Sequence, residues 1–116
     1  MKKPKETELA YIGGYIDGEG CIRYEQYSPK ISLESCNPYP LNFLATVFPQ
    51  SVVKKQSRLT KRGKPVYRLC YNGVNALNIL SLVMPYLIEK KDQAEKVIQI
   101  DQLKKELKEA KYRKHK

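Results

Sequence analysis

The chain has 116 residues, of which 41% are hydrophobic and 29% are charged, and its formal net charge at pH 7 is +10. This length and composition predict a single folded domain with its own core, and they exclude collagen-like, disulfide-scaffold and membrane-spanning proteins. An excess of 22 basic over 12 acidic residues is typical of proteins that bind a polyanion.

Two segments carry this positive charge. Residues 54–64 contain six basic residues and no acidic one, and residues 104–116 contain seven basic and two acidic residues. Such clustering predicts a docking surface for nucleic acid, and the alternative is a solvated loop and a solvated tail. We predict that residues 1–110 form the domain and that residues 111–116 form a basic C-terminal tail.

The cysteines and the N-terminus indicate an intracellular protein. Three scattered cysteines and one histidine in the basic tail predict reduced thiols and no zinc site. The basic N-terminus is not followed by the apolar segment of a secretory signal. The longest apolar stretch, residues 76–88, is too short to cross a bilayer. We expect a location in a bacterial or phage-host cytoplasm or in an organelle, and no membrane partner.

The spacing of apolar residues predicts eight elements. Apolar residues recur every three or four positions in the helices and alternate with polar residues in the strands. The predicted elements are a helix over residues 6–17, strands over 21–27 and 30–36 with a turn at Ser28-Pro29, a helix over 38–47, strands over 51–58 and 65–71, and helices over 74–84 and 90–110. This α-β-β-α-β-β-α-α order predicts an α+β fold with a four-stranded antiparallel sheet and all helices on one face.

The other face of the sheet is predicted to be polar and open, as in sheets that enter a DNA major groove. The side chains predicted on this face are Arg23, Glu25, Tyr27, Lys30, Ser32, Glu34, Lys54, Gln56 and Arg68. Phosphate contacts are predicted for the basic residues of the second strand pair, namely Lys54, Lys55, Arg58, Lys61 and Arg62. For each of these residues, plain solvent exposure is the alternative.

The segment from Tyr11 to Ile22 (YIGGYIDGEGCI) contains residues that are unfavourable in an ordinary helix. Gly13 and Gly14 lie in the helix interior, where each costs about 1 kcal/mol relative to alanine. Asp17 and Glu19 lie at its C-terminal end, where the helix dipole disfavours negative charge. These unfavourable choices predict a functional site at this end of the helix.

Ala10, Gly13, Gly14 and Asp17 lie near one side of the same helix, so a second helix backbone can approach closely there. If that helix belongs to a second copy of the chain, the acidic ends meet on a two-fold axis. Paired carboxylates favour a divalent cation with oxygen ligands, and this arrangement suits phosphodiester hydrolysis. The alternative is a surface turn in which Asp17 caps backbone amides and Glu19 is solvated.

Residues 12–20 (IGGYIDGEG) resemble the signature motif of the LAGLIDADG homing endonucleases. The resemblance continues through most of the chain, in Cys21-Ile22-Arg23, Val66-Tyr67-Arg68, Leu77 to Leu80, Pro85-Tyr86-Leu87, Lys90, Gln93 and Ala94. It implies a saddle-shaped sheet over the DNA major groove. One motif per chain implies a homodimer in which the motif helices, with Ala10, Gly13, Gly14 and Asp17, form the interface.

The resemblance also implies an activity: site-specific cleavage of double-stranded DNA, often for an intron-borne gene, at a pseudo-palindromic target. It implies Mg²⁺ or Mn²⁺ as cofactor and no organic cofactor. Glu19 would be the metal-binding catalytic residue, with Asp17 capping the helix end and supporting the metal site. Lys90 corresponds to a lysine near the scissile phosphate, and Asn37 is the nearest match to a polar catalytic residue after the second strand.

The motif departs from the family pattern in two places. Glutamate stands at position 19 instead of the more common aspartate, and Pro38 and Tyr39 stand where a catalytic glutamine is expected. Two other functions therefore stay open: a DNA-binding protein or regulator that does not cleave, and an RNA-binding intron maturase. Tyr24 and Tyr27 are predicted on opposite faces of a strand, which argues against stacking of single-stranded RNA on this sheet.

Overall fold

The computed structural model describes residues 3–114 and contains four α-helices and a four-stranded antiparallel sheet. The elements are α1 (Glu6–Glu19), β1 (Cys21–Glu25), β2 (Ser28–Ser35), α2 (Pro38–Val47), β3 (Lys54–Leu59), β4 (Pro65–Asn72), α3 (Gly73–Val83), a short 3₁₀ helix (Met84–Tyr86) and α4 (Lys91–Lys114). The predicted fold class and element order are confirmed.

The sheet has the strand order β1-β2-β4-β3, so β1 and β3 form its edges. Alternate residues of the two central strands face the helices and are buried, with Ile31 opposite Tyr71 and Leu33 opposite Leu69. The core forms where α1, α2, α3 and the first half of α4 cover this face. The Tyr71 hydroxyl is buried here and donates to the carbonyl of Phe48 at 2.7 Å, which fixes the end of α2 against β4.

The turn between β1 and β2 differs from the prediction. Gln26 and Tyr27 form it, with φ angles of 53° and 63°, and Ser28 and Pro29 belong to β2. Two successive residues with positive φ make a tight hairpin turn whose twist matches that of the strands. The prediction of a Ser28-Pro29 turn is therefore wrong.

Three other boundaries differ from those predicted by two residues or more. Helix α1 continues through Gly18 and includes Glu19, and β3 begins at Lys54. Helix α4 continues through Lys114, so most of the predicted tail is helical, while residues 115 and 116 lie outside the described part.

Gly13 allows α1 to pack closely against the end of α3. A Cβ atom at this position would lie 2.7 Å from the Cβ of Tyr86 and 3.3 Å from that of Val83. The side of α1 that carries Gly13 is therefore filled within the chain, and the prediction that Gly13 contacts a second copy is wrong. Gly14 and Ala10 are exposed instead, and a Cβ atom at Gly14 would meet nothing within 4 Å.

Helix α4 is packed in its first half and projects from the domain in its second half. Ala94 and Val97 are buried against the sheet, whereas residues 102–112 are all exposed. This projection contributes to a longest dimension of 58 Å. Among the helices of residues 3–114, none is both long enough and apolar enough to cross a bilayer.

Candidate nucleic-acid interface and acidic helix end

Helix α1 ends in a short acidic segment directly before the sheet. The backbone amide of Gly20 donates to the carbonyl of Ile16 at 2.8 Å, and β1 begins at the next residue, Cys21. Glu19 is exposed and forms no hydrogen bond or ion pair with any of residues 3–114. Its carboxylate is therefore available to a ligand at the point where the open sheet face begins.

Asp17 caps the start of α4 from across the sequence. Its Oδ1 accepts a hydrogen bond from the backbone amide of Lys90 at 2.8 Å, and its Oδ2 accepts one from that of Glu89 at 3.1 Å. The pKa of Asp17 is lowered from its ordinary value of 3.8, mainly by the hydrogen bond from the Lys90 amide. Partial desolvation raises the pKa, and the hydrogen bond from the Glu89 amide lowers it further. Asp17 therefore caps the start of α4 rather than the end of its own helix, and its roles in a metal site and a dimer interface stay predictions.

The side chain of Lys90 lies at the C-terminal end of α1. Its Nζ donates to the backbone carbonyl of Asp17 at 2.5 Å, where the last carbonyls of α1 carry partial negative charge. The structure therefore brings a half-buried ammonium group to the helix end that carries Glu19. The catalytic role of Lys90 stays a prediction.

Gln93 is a positioning residue, and the sequence alone predicts no function for it. Its Nε2 donates to the carbonyl of Ile22 at 2.7 Å, which joins the first turn of α4 to β1. Together with the Asp17 cap, this bond holds the start of α4 against both the end of α1 and the start of the sheet. The family resemblance included Gln93, but only the fold shows what it contacts.

Asn37 lies at the start of α2. Its Oδ1 accepts a hydrogen bond from the backbone amide of Tyr39 at 3.1 Å, so it is the N-cap of this helix. It also lines a shallow pocket with Tyr11 and Phe43. Within the described chain, Asn37 makes no hydrogen bond to Glu19 or Lys90. Its catalytic role stays a prediction.

We expect Asp17→Asn to destabilise the protein at neutral pH and to have a smaller effect in acid. Asparagine keeps an acceptor oxygen but loses the charge that faces two amides and Lys90. Because the folded-state pKa of Asp17 is lowered, its charge stabilises the fold above the ordinary pKa, and this contribution is lost as the pH falls through the folded-state value. Urea denaturation of both chains at neutral pH and at about pH 3 measures the difference. An equal difference at both pH values would contradict a charged cap.

The open face of the sheet carries rows of facing side chains. The strand register places in successive rows Arg23, Lys30 and Asn72, then Cys21, Ser32 and Cys70, then Glu34, Arg68 and Lys54. The central row is small, and its cysteines are free. The register and the alternation along the strands thus put on one face the predicted residues Arg23, Glu25, Lys30, Ser32, Glu34, Lys54 and Arg68.

Two ion pairs leave this face with excess positive charge. Arg23 pairs with Glu25 at 3.5 Å, and Arg58 pairs with Glu34. Arg68 lies beside Glu34 in the register, but its buried Nε has no hydrogen-bond partner among the described residues. Since both acidic residues of the face are paired, the remaining cations favour an anionic partner.

Three of the predicted DNA contacts, Tyr27, Lys61 and Arg62, lie in turns and not on the strands of the open face. Tyr27 belongs to the β1–β2 turn, where its carbonyl accepts hydrogen bonds from the Tyr24 hydroxyl and from Lys104 of α4. Its prediction as a residue of the open strand face is wrong, because the turn comes earlier than expected. Lys61 and Arg62 are exposed in the tight β3–β4 loop. Gln56 belongs to β3, where its side chain donates to the carbonyl of Lys54 at 3.2 Å.

The sequence matches no protein-family model and no curated protein. The fold, however, matches solved structures. One is the homing endonuclease I-CvuI in complex with its target in the presence of 2 mM Ca, with 22% identity and a TM-score of 0.69 over 83% of this chain and 66% of that one. Another is the archaeal intron-encoded homing endonuclease I-Vdi141I complexed with DNA, with 18% identity and a TM-score of 0.64 over 85% of this chain and 69% of that one.

A third match is the group I intron-encoded homing endonuclease I-CeuI complexed with DNA, with 11% identity and a TM-score of 0.60 over 89% of this chain and 56% of that one. This chain thus spans between about half and about two thirds of the length of these proteins. At such identities the likeness establishes the architecture. The chain has the LAGLIDADG homing-endonuclease fold.

Proposed function

We propose that this protein is a site-specific double-stranded DNA endonuclease that acts as a homodimer with a divalent metal ion. One observation carries the proposal: the exposed carboxylate of Glu19 lies next to the start of a cation-rich open sheet face, separated from Cys21 only by Gly20. A duplex on that face would pass beside this carboxylate. Three solved structures that share this fold are homing endonucleases, one in complex with its target and two complexed with DNA.

The proposed dimer uses the exposed side of α1. Ala10, Gly14 and Gly18 follow one another at intervals of four residues and are all exposed. A Cβ atom at either glycine would meet nothing within 4 Å, so this side is open to another helix. We propose that it packs on the same side of α1 in a second copy, which would bring two Glu19 side chains together.

The donor set at this helix end fits a hard cation. No three His, Cys, Asp or Glu side chains of residues 3–114 are close enough together to hold a metal. Mg²⁺ needs few protein ligands, since it retains water and binds one or two carboxylates together with substrate phosphates. Glu19 from each copy would hold Mg²⁺ or Mn²⁺ in this way. The bound ion would supply Lewis-acid stabilisation of phosphate charge and an activated water.

The residues around Glu19 would orient and neutralise the phosphate. The ammonium group of Lys90 uses one of its three protons on the carbonyl of Asp17, and the others can face the negative charge that develops in the reaction. Asp17 and Gln93 hold α4 so that Lys90 stays at this position. Lys30, Lys54 and the β3–β4 loop would contact the backbone of the duplex.

The experiment starts from a library of randomised DNA duplexes, because the target sequence is unknown. Duplexes that the full chain binds in EDTA are enriched and then incubated with Mg²⁺, with Mn²⁺ or with EDTA. We expect both strands to be cut at a defined position with either metal and neither strand in EDTA. Light scattering should give the mass of a dimer bound to DNA.

Three outcomes would reject parts of the proposal. Enriched binding without cleavage in any divalent cation would assign the chain to the DNA-binding proteins that do not cleave. Stronger binding to single-stranded RNA than to any duplex would favour the maturase function. A chain that stays monomeric on its DNA would reject an active site shared between two copies.

Since chromosomal DNA would be the substrate, we place the protein inside the cell.

A further inference from the structure

The proposed function leaves one surface of the molecule unused. A groove of about 520 Å³ lies on the helix side of the sheet, between the projecting half of α4 and the β1–β2 turn. Its apolar walls are formed by Tyr24, Tyr27, Ile100, Leu103 and Leu107. We call this surface the α4 groove. It lies on the other side of the sheet from the face proposed to bind DNA.

The apolar side of α4 in this groove is a continuous stripe in contact with solvent. Ile100, Leu103 and Leu107 follow one another at intervals of three and four residues, and they are 45%, 58% and 67% exposed. This spacing places them on one side of the helix. An exposed apolar stripe on a projecting helix is typical of a surface that is buried by a partner.

Side-chain contacts join the wall opposite α4 to that helix and to β1. Lys104 donates to the carbonyl of Tyr27, and its Nζ lies 5.9 Å from the centre of the Tyr27 ring. The hydroxyl of Tyr24 donates to the same carbonyl at 3.1 Å. The groove therefore exists before any partner binds, which lowers the entropic cost of docking.

The charges around the groove select the chemistry of the partner. Lys104, Lys108 and Lys111 line it, and no acidic residue does. The acidic residues of the projecting helix, Glu106 and Glu109, line other surfaces. A second copy of this chain would bring the same three cations to the groove and would be repelled. An apolar stripe flanked by carboxylates complements both the walls and the rim.

We propose that the α4 groove binds an acidic amphipathic helix of a partner protein. Apolar side chains of that helix, spaced by three and four residues, would pack between Leu103, Leu107 and Tyr27. Carboxylates beside them would pair with Lys108 and Lys111. This interaction does not depend on DNA cleavage, because it uses none of the residues at the end of α1.

The test uses two synthetic helical peptides of about 18 residues, which is about 27 Å of helix. Both carry the same leucine stripe, one flanked by glutamate and the other by lysine. Fluorescence anisotropy with the full chain should show binding of the acidic peptide and at least about tenfold weaker binding of the basic one. Amide chemical shifts should change at the β1–β2 turn and in residues 100–111.

Matched variants locate the site. Leu103→Glu should weaken binding of the acidic peptide by at least about tenfold, because it puts a carboxylate into the apolar stripe. Val74→Glu, at a residue of α3 that is 78% exposed, should leave binding unchanged. The double variant Lys108→Glu/Lys111→Glu should reverse the preference and bind the basic peptide better. That reversal is informative even if Leu103→Glu proves less stable by circular dichroism.

Four outcomes would overturn the proposal. They are equal affinity for both peptides, chemical-shift changes away from the groove, an unchanged preference in the double lysine variant, and stronger binding to phosphatidylglycerol vesicles than to the acidic peptide. The last would assign the stripe to a lipid surface. Any of them leaves DNA binding by the open sheet face untouched, so the two proposals fail separately.

Discussion

Replacing Glu19 with glutamine is expected to slow DNA cleavage severely while leaving folding and DNA binding intact. Glutamine has nearly the same size, but it is neutral and a poor ligand for a hard divalent cation. Glu19 is exposed and has no partner among residues 3–114, so the change costs no intramolecular contact. Loss of the metal ion's stabilisation of phosphate charge should slow cleavage on the order of a hundredfold to a thousandfold. Single-turnover cleavage of an enriched duplex measures this effect.

A matched variant separates this effect from a general loss of negative charge. Glu95→Gln makes the same change on an exposed residue of α4 that is not part of the acidic segment at the end of α1. It should cut at the rate of the unmodified chain, and both variants should shift the duplex in a binding gel at the same protein concentration. If Glu19→Gln cleaves as fast as Glu95→Gln, the end of α1 is not the catalytic centre.

The periodicity of apolar residues was sufficient to predict the fold, because each element buries one side in the same core. Ile12 and Ile16 mark the buried side of α1, and Ile31 and Leu33 mark that of β2. The β1–β2 turn could not be predicted in this way. It has two residues with positive φ and neither is glycine, asparagine or aspartate, the usual residues of such turns. Contacts from Tyr24 and Lys104, which only the fold brings together, hold it.

The acidic residues at the end of α1 could be recognised as a candidate site from local sequence. The hydrogen bonds that Asp17 accepts there could not be predicted. Asp17 and Glu19 are unusual at the C-terminus of any helix, and this local conflict marked the site. The amides that Asp17 caps lie more than 70 residues away along the chain, at Glu89 and Lys90. Residue spacing carries no information on such a contact.

The same limit explains the error at Gly13. Adjacent residues on a helix are separated by about 100° around its axis, so spacing alone cannot decide which of two neighbouring glycines faces the core. The turn at Met84–Tyr86 decides it, because it fills the space beside Gly13 and leaves Gly14 exposed. The glycine pair therefore serves two separate contacts, one inside the chain and one available to a partner.

Alanine substitutions at the two glycines are expected to change stability in opposite directions. At Gly13 the new Cβ would lie 2.7 Å from the Cβ of Tyr86, and since both atoms are attached directly to backbone, α1 and the 3₁₀ turn must separate. We expect a loss of about 1–3 kcal/mol from this overpacking, reduced by the better helix propensity of alanine. At Gly14 no atom lies within 4 Å, so Gly14→Ala should stabilise the chain by about 0.5–1 kcal/mol. Urea denaturation at protein concentrations below the dimer dissociation constant measures both.

Gly14→Ala also tests the proposed dimer, because stability and association should then change in opposite directions. A methyl group on the exposed stripe of Ala10, Gly14 and Gly18 prevents the closest approach of two helix backbones. The variant should therefore be more stable as a monomer and yet dimerise more weakly. The dissociation constant of the dimer should rise about tenfold if moving the two helices apart costs as much free energy as one overpacked contact. Sedimentation over a range of concentrations measures the dissociation constant. A Gly14→Ala chain that gains stability and dimerises as before would show that the stripe is not the interface, and that each Glu19 would have to bind its metal ion without a second copy beside it.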